Sequence, residues 1–164
     1  MRKLMKFVPG VLLAAAILVP YPAAANPTTV VATINGGGTA EMQLPLAGGD
    51  SMFGMGVMLL SDGSATGHFD CVDRHGDSTG SGNIFGEAIS WSVERNGAQP
   101  IIVLNFIGKL APNPGGPPPA VAFTVKIQQF GGAGVGHWTL ENTANGFIFC
   151  YEILTSGQIV YSPR

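Results

Sequence analysis

The sequence predicts an all-β protein whose strands, about ten in number, form an antiparallel meander and close, fully or partly, into a barrel. The first observation is that apolar and polar residues alternate along several runs, as they do in strands with one buried face. The second is that Asn-Gly and Asp-Gly pairs separate the runs, and these pairs favour tight hairpin turns. The third is that glycines typical of bends and barrel corners occur inside the runs: Gly54, Gly56, Gly67, Gly86 and Gly108. A β-sandwich is the alternative architecture.

The segment 1–25 has the pattern of a cleavable signal peptide. Arg2, Lys3 and Lys6 form a basic start, and Ala23 and Ala25 stand at the positions that signal peptidase recognises. The apolar run between them has about 13 residues, fewer than the roughly 20 that span a bilayer. We therefore expect cleavage, no membrane insertion afterwards, and a single domain over 26–164 that is secreted or periplasmic.

The predicted strands follow one another with short connections. They span 28–34, 39–44, 51–61, 64–73, 83–86, 88–95, 101–109, 120–130, 136–142 and 147–155, with 158–161 as a short final strand. The Asn-Gly-Gly-Gly stretch at 35–38 is interpreted as the turn between the first two strands. The segment 112–119 contains three consecutive prolines, which lack backbone donors for a sheet, and is predicted to be an exposed loop.

Three runs show the alternation most clearly. Each is predicted to place its larger side chains on one face of a strand. The sets are Ile89, Trp91 and Val93; Val121, Phe123, Val125 and Ile127; and Phe147, Phe149, Tyr151 and Ile153.

The charge balance excludes some classes of partner. The chain has 8 Lys+Arg and 10 Asp+Glu, and three of the basic residues lie in the predicted signal peptide. The mature protein is therefore acidic and has no basic cluster, so neither nucleic acid nor an anionic membrane surface is an expected partner. Charged residues make up only 11% of the chain, against about 25% in an ordinary soluble domain, so solubility must depend on neutral polar residues.

Cys71 and Cys150 are the two cysteines. In the oxidising compartment that a signal peptide implies, an even number of cysteines predicts a disulfide. The bond would close a loop of roughly 80 residues and contribute at most about 4–5 kcal/mol in the chain-entropy model. The alternative is two separately buried thiols.

The densest polar cluster of the sequence lies at 68–77. His68, Asp70 and His75 could ligate a divalent metal, with His137 joining from another strand, and imidazole with carboxylate suits zinc, manganese or iron. The spacing matches no known zinc or calcium motif, and strand alternation divides the candidate ligands between two faces. The alternative is a solvated, hydrogen-bonded strand end, and no cofactor is predicted on other grounds.

A second candidate site is apolar. Met52, Met55 and Met58, together with Trp138, could line a cavity for one small apolar molecule inside a barrel of this size. The alternative is that these side chains simply fill the core.

The stretch from Gly36 to Leu140 resembles a group of uncharacterised bacterial secreted domains of the post-COAP-1-like type. The motifs that carry the resemblance are a glycine-rich opening at 36–39, Phe-Gly-Met-Gly-Val at 53–57, the turn at 62–63 and Gly-His-Phe-Asp-Cys at 67–71. The resemblance implies an exported β-domain, sometimes attached to other modules. It carries no catalytic residue over to this chain.

These observations predict a binding, surface or structural module without catalysis, and the specific version is a barrel that holds a small apolar ligand. One alternative is an enzyme, either metal-dependent through His68, Asp70 and His75 or cyclase-like with a pocket that shapes an intermediate. Another alternative is a cell-envelope adhesion module. The oligomeric state stays open.

Overall fold

Ten antiparallel strands form one sheet in the computed structural model, which describes residues 27–43, 49–74, 82–96, 99–112 and 116–164. The strands are β1 (Val30–Met42), β2 (Asp50–Leu60), β3 (Ala65–Asp73), β4 (Gly82–Asn96), β5 (Gln99–Pro112), β6 (Ala120–Gln129), β7 (Gly131–Gly132), β8 (His137–Asn142), β9 (Ile148–Leu154) and β10 (Gln158–Pro163). The described residues include no helix that is long and apolar enough to cross a membrane. The predicted all-β class is confirmed.

Eight of the strands close into a barrel. The sheet runs from β2 through β3, β4, β5, β6, β8 and β9 to β1, and β1 also pairs with β2. Closure leaves no free edge within this ring, which is how antiparallel barrels avoid unpaired strands. The predicted barrel is confirmed, and β10 and β7 are additional strands, of which β10 pairs with β1.

β9 and β10 lie in line along the same partner, β1. Leu154 of β9 pairs with Ala40, and Gln158 of β10 pairs with Gly37. Between them, the backbone amides of Thr155 and Ser156 both donate to the carbonyl of Thr39, at 2.9 and 3.1 Å. The chain therefore makes an offset at this point between β9, which pairs with β8 and β1, and β10, which pairs with β1 and β7 and contributes Ile159 to the core.

The predicted turn at 35–38 is wrong, because this stretch lies within β1. Gly38 has a φ of +152°, and a Cβ there would lie 2.1 Å from the carbonyl oxygen of Ser156. The glycine thus allows the segment between β9 and β10 to approach β1. Glycine is favoured both in turns and at such close contacts, so its presence in the sequence does not distinguish the two.

Alanine at Gly38 is expected to lower the free energy of unfolding by about 2 kcal/mol or more, because it combines backbone strain with a backbone clash. Gly134→Ala is the control: its φ is +75°, but nothing lies within 4 Å of the added Cβ, so only the strain of about 1 kcal/mol remains. Urea unfolding of both variants measures the difference. Equal losses would contradict the close approach of the strands.

The predicted break at residue 87 is also wrong, since β4 is one strand with an irregularity between Ala88 and Ser90. The shift keeps Ala88 opposite Phe106 and places Trp91 opposite Leu104. The side chains of Ala88 and Trp91 therefore both face the interior. Ile89 lies at the irregularity and is 46% exposed. The predicted common face of Ile89 and Trp91 is therefore wrong, because a β-bulge changes the alternation by one residue.

The turn predicted at Asp62-Gly63 is confirmed. The Asp62 carboxylate accepts hydrogen bonds from the backbone amide of Ser64, at 3.0 Å, and from its hydroxyl, at 2.6 Å. These bonds lower the pKa of Asp62. Aspartate favours such turns because it satisfies the backbone locally.

Five aromatic side chains fill the centre of the barrel. Phe69 lies among them, with ring centroids 5.8, 6.0 and 5.4 Å from those of Phe106, Phe123 and Trp138. Phe53 adds a contact to Trp138 at 5.4 Å. All five side chains are at most 5% exposed. The predicted alternation of β6 is confirmed, because Phe123, like Val125 and Ile127, is fully buried.

Candidate functional site

Two thiols and a carboxylate meet inside the barrel. Cys71 comes from β3, and Cys150 and Glu152 come from the inner face of β9. One ligand atom of each lies within 4.8 Å of the others, and all three residues are buried. Ser51 of β2 donates its hydroxyl hydrogen to Oε2 of Glu152. We call these four residues the thiol–carboxylate cluster.

The strand order explains why the cluster forms across the interior. β9 and β3 are not neighbours, since β1 and β2 lie between them in the sheet. Residues two apart share a face of a strand, so Cys150 and Glu152 both point inward. Ser51 and Cys71 lie near the start of β2 and the end of β3, which places the cluster toward one end of the barrel.

The Glu152 carboxyl group is 1% exposed. Burial raises its pKa to about 7, although hydrogen bonds from Ser51 and Cys150 oppose the rise, and the negative charges of Asp73 and Asp50 add to it. Its Oε1 atom has no hydrogen-bond partner within the described part of the chain. The group therefore changes its charge near neutral pH, in a place where charge is costly.

Cys150 is a neutral thiol at physiological pH. Its hydrogen bond with Cys71 raises the pKa of the Cys150 thiol well above its ordinary value, and burial and the charge of Glu152 raise it further. Because the thiolate is the nucleophile, a thiol of raised pKa is not activated for attack.

The predicted disulfide is wrong, because Cys71 and Cys150 are both free thiols. Their sulfur atoms lie in the same cluster, within 4.8 Å, but they are not joined at the roughly 2.05 Å of a bond. The thiols are buried but not separate, so the alternative of two separately buried thiols is confirmed only in their burial. The prediction was based on an even number of cysteines and an oxidising compartment, and neither gives the distance between the two side chains.

The nearby end of the barrel is acidic. Asp73 lies opposite Ser51 in the β2–β3 pair. Asp50 forms an ion pair with Arg74, at 3.1 Å between Nη1 and Oδ2, and the Arg74 amide donates to the Asp50 carbonyl. Both carboxylates raise the pKa of Glu152, as negative charges near a carboxyl group do.

Of the predicted metal ligands, His68, Asp70 and His137 lie outside this cluster. His68 and Asp70 are on the outer face of β3, where the alternation placed them, while Phe69 and Cys71 face inward. His137 belongs to β8, which is not a neighbour of β3, and its ring contacts Tyr151 with centroids 4.4 Å apart. His75 lies outside the described residues, so the site of His68, Asp70 and His75 stays a prediction.

The structure divides the predicted apolar site. Met55 and Trp138 are 5% and 0% exposed and face the interior, whereas Met52 and Met58 are 50% and 45% exposed on the outer face of β2. The methionines are three residues apart, and an offset of three changes the face of a strand. These four side chains therefore do not line one cavity.

Sequence reasoning missed the thiol–carboxylate cluster. The predicted common face of Phe147, Phe149, Tyr151 and Ile153 is not kept. Phe147 precedes β9 and Phe149 packs in part against the core, while Tyr151 and Ile153 alternate with the buried residues of the strand. The inner face of this strand carries Cys150, Glu152 and Leu154. The alternation around Glu152 was a usable signal, but a charged residue between a tyrosine and an isoleucine suggests the opposite orientation.

Comparisons with known proteins give no match: no family model, no curated protein and no solved structure is similar to this chain. The likeness to post-COAP-1-like domains rests only on the motifs quoted above.

Proposed function

We propose that this protein is an exported, non-catalytic binding module that holds a small ligand at the thiol–carboxylate cluster. The observation that carries the proposal is the buried Oε1 of Glu152, which has no hydrogen-bond partner among the described residues. The basic and apolar pattern of 1–25 supports export.

A ligand would compensate a large energetic cost. A carboxylate without a full set of partners costs several kcal/mol when it is removed from water. An apolar residue of similar volume at position 152 would match its barrel surroundings better. A buried group that conflicts with its surroundings in this way is a candidate functional group.

A second polar atom near the cluster supports the same interpretation. Trp138 lies opposite Glu152 in the β8–β9 pair, and its Nε1 is buried without a hydrogen-bond partner in the described ranges. The inner surface of these two strands therefore offers an unused donor and an unused acceptor. Because a ligand can satisfy such groups where the apolar core cannot, the inner surface of β8 and β9 suits binding.

The chemistry of the cluster favours binding over turnover. Cys150 is a neutral thiol, and the hydroxyl of Ser51 is held by Glu152 and only 2% exposed. Neither group has the activated, accessible character of a nucleophile. The aromatic rings occupy the centre of the barrel, so the end of the barrel is a better place for a ligand than the middle.

The proposal predicts that the protein, secreted and purified without denaturation, carries a bound species. Native mass spectrometry should give a mass above that of the denatured polypeptide, and Glu152→Gln should lose the excess. Glu87→Gln is the control, because Glu87 is exposed on the outer face of β4 and should retain the bound species. Equal native and denatured masses of the wild-type protein would contradict the proposal.

A further inference from the structure

We infer that the bound ligand is a thiophilic divalent cation of the zinc class, held by Sγ of Cys71, Sγ of Cys150 and Oε1 of Glu152. The inference rests on the proposed function and names the ligand of the same site. The two sulfur atoms and one carboxylate oxygen of Glu152 form a mutually close set of metal-ligating atoms in the described part of the chain.

The distances suit a tetrahedral ion. Zinc binds thiolate sulfur at about 2.3 Å and carboxylate oxygen at about 2.0 Å, which places neighbouring ligand atoms about 3.5–3.8 Å apart. The three atoms here lie within 4.8 Å of one another. Contraction by about 1 Å is within the reach of side-chain rotation, so the strands can keep their register. The hydroxyl of Ser51 holds Oε2 and so leaves Oε1 for the ion.

The donor types select the class of metal. Calcium and magnesium prefer sites made only of oxygen atoms, so two sulfur ligands disfavour both. Copper(I) prefers the two thiolates as ligands and does not favour a carboxylate oxygen. Zinc accepts sulfur and carboxylate oxygen together. Dependence on Glu152 therefore distinguishes zinc from copper(I).

The partnerless Oε1 of Glu152 is an observation independent of the clustering. Its residue is 1% exposed, and a cation at this position would replace the missing partner. Asp50 and Asp73 are close enough to affect the Glu152 carboxyl group electrostatically, and an acidic end of the barrel raises the local concentration of cations. Burial of three ligands that become anionic is favourable only with a counter-ion.

The test is titration of chelator-treated full-length mature protein with cobalt(II) and zinc(II). We expect one ion per chain, a thiolate-to-cobalt charge-transfer band and a higher melting temperature. Cys71→Ser and Cys150→Ser should each reduce the band to half or less, because each removes one of the two sulfur ligands. Glu152→Gln and Ser51→Ala should weaken zinc binding by about tenfold or more.

Asp70→Asn is the matched control, because Asp70 is an acidic residue next to Cys71 that lies on the outer face of β3. It should leave zinc affinity unchanged. Near-ultraviolet dichroism of the metal-free variants separates loss of a ligand from loss of the fold, and the isosteric Glu152→Gln keeps the test valid if a serine variant fails to fold.

Absence of the charge-transfer band, or a band that both cysteine variants retain at full intensity, would overturn the cation site. Zinc binding that is unchanged in Glu152→Gln would overturn the three-ligand set. An organic species in the native mass spectrum, with no zinc bound on titration, would overturn the cation while leaving the binding function in place. No bound species and no affinity for zinc would overturn both proposals.

Discussion

Replacement of Phe69 by alanine is expected to lower the free energy of unfolding by about 3–5 kcal/mol. Phe69 is 1% exposed and lies in contact with the rings of Phe106, Phe123 and Trp138. A closed barrel cannot collapse around the gap, because hydrogen bonds on both sides of each strand hold the backbone. A loss of this size is a large share of the total stability of a small domain, about 5–15 kcal/mol.

Phe85→Ala is the matched control for this prediction. Phe85 is 43% exposed and pairs with Asp70 on the outer face of the barrel, so we expect a loss of about 0.5 kcal/mol. Urea unfolding followed by tryptophan fluorescence and by far-ultraviolet dichroism measures both variants. If Phe85→Ala cost as much as Phe69→Ala, the assignment of inner and outer faces would be wrong.

Metal-free protein is expected to lose stability as the pH rises from about 4.5 to 7. The folded-state pKa of Glu152 is about 7, against an ordinary value of 4.5 for a glutamate. The folded state therefore binds more protons than the unfolded state in this window, and the free energy of unfolding falls as pH increases. The total change is about 3 kcal/mol, since one unit of pKa difference corresponds to about 1.4 kcal/mol, and the curve levels off above pH 7.

Glu152→Gln isolates this effect. Glutamine has the same shape and no charge to bury, so the variant should lack the decline and be more stable than the wild-type protein above pH 7. Burial lowers the pKa of His137, which makes stability rise with pH near its ordinary value in both proteins, and the difference between the two curves removes this term. Parallel curves for wild type and variant would show that Glu152 does not titrate as described.

The elements that the sequence predicted well are those that depend on neighbouring residues. The inward face of β6 follows from strict alternation around Phe123, and the turn at Asp62 follows from a side chain that bonds its own backbone. The elements that it missed depend on distant strands. The sequence around Gly38 predicts a turn, because the segment between β9 and β10 that requires a glycine there lies far along the chain. The alternation around Ile89 predicts a core residue, because the pattern does not reveal the bulge in β4.

The local pattern of the chain, by itself, determined the all-β class, the antiparallel connections and the preference for a barrel, because strand period and turn chemistry act over a few residues. Only the tertiary structure decided that Cys71 meets Cys150 and Glu152. The physical reason is that these side chains belong to strands far apart in sequence and not adjacent in the sheet. Their contact exists only once β9 pairs with β1 and the barrel closes.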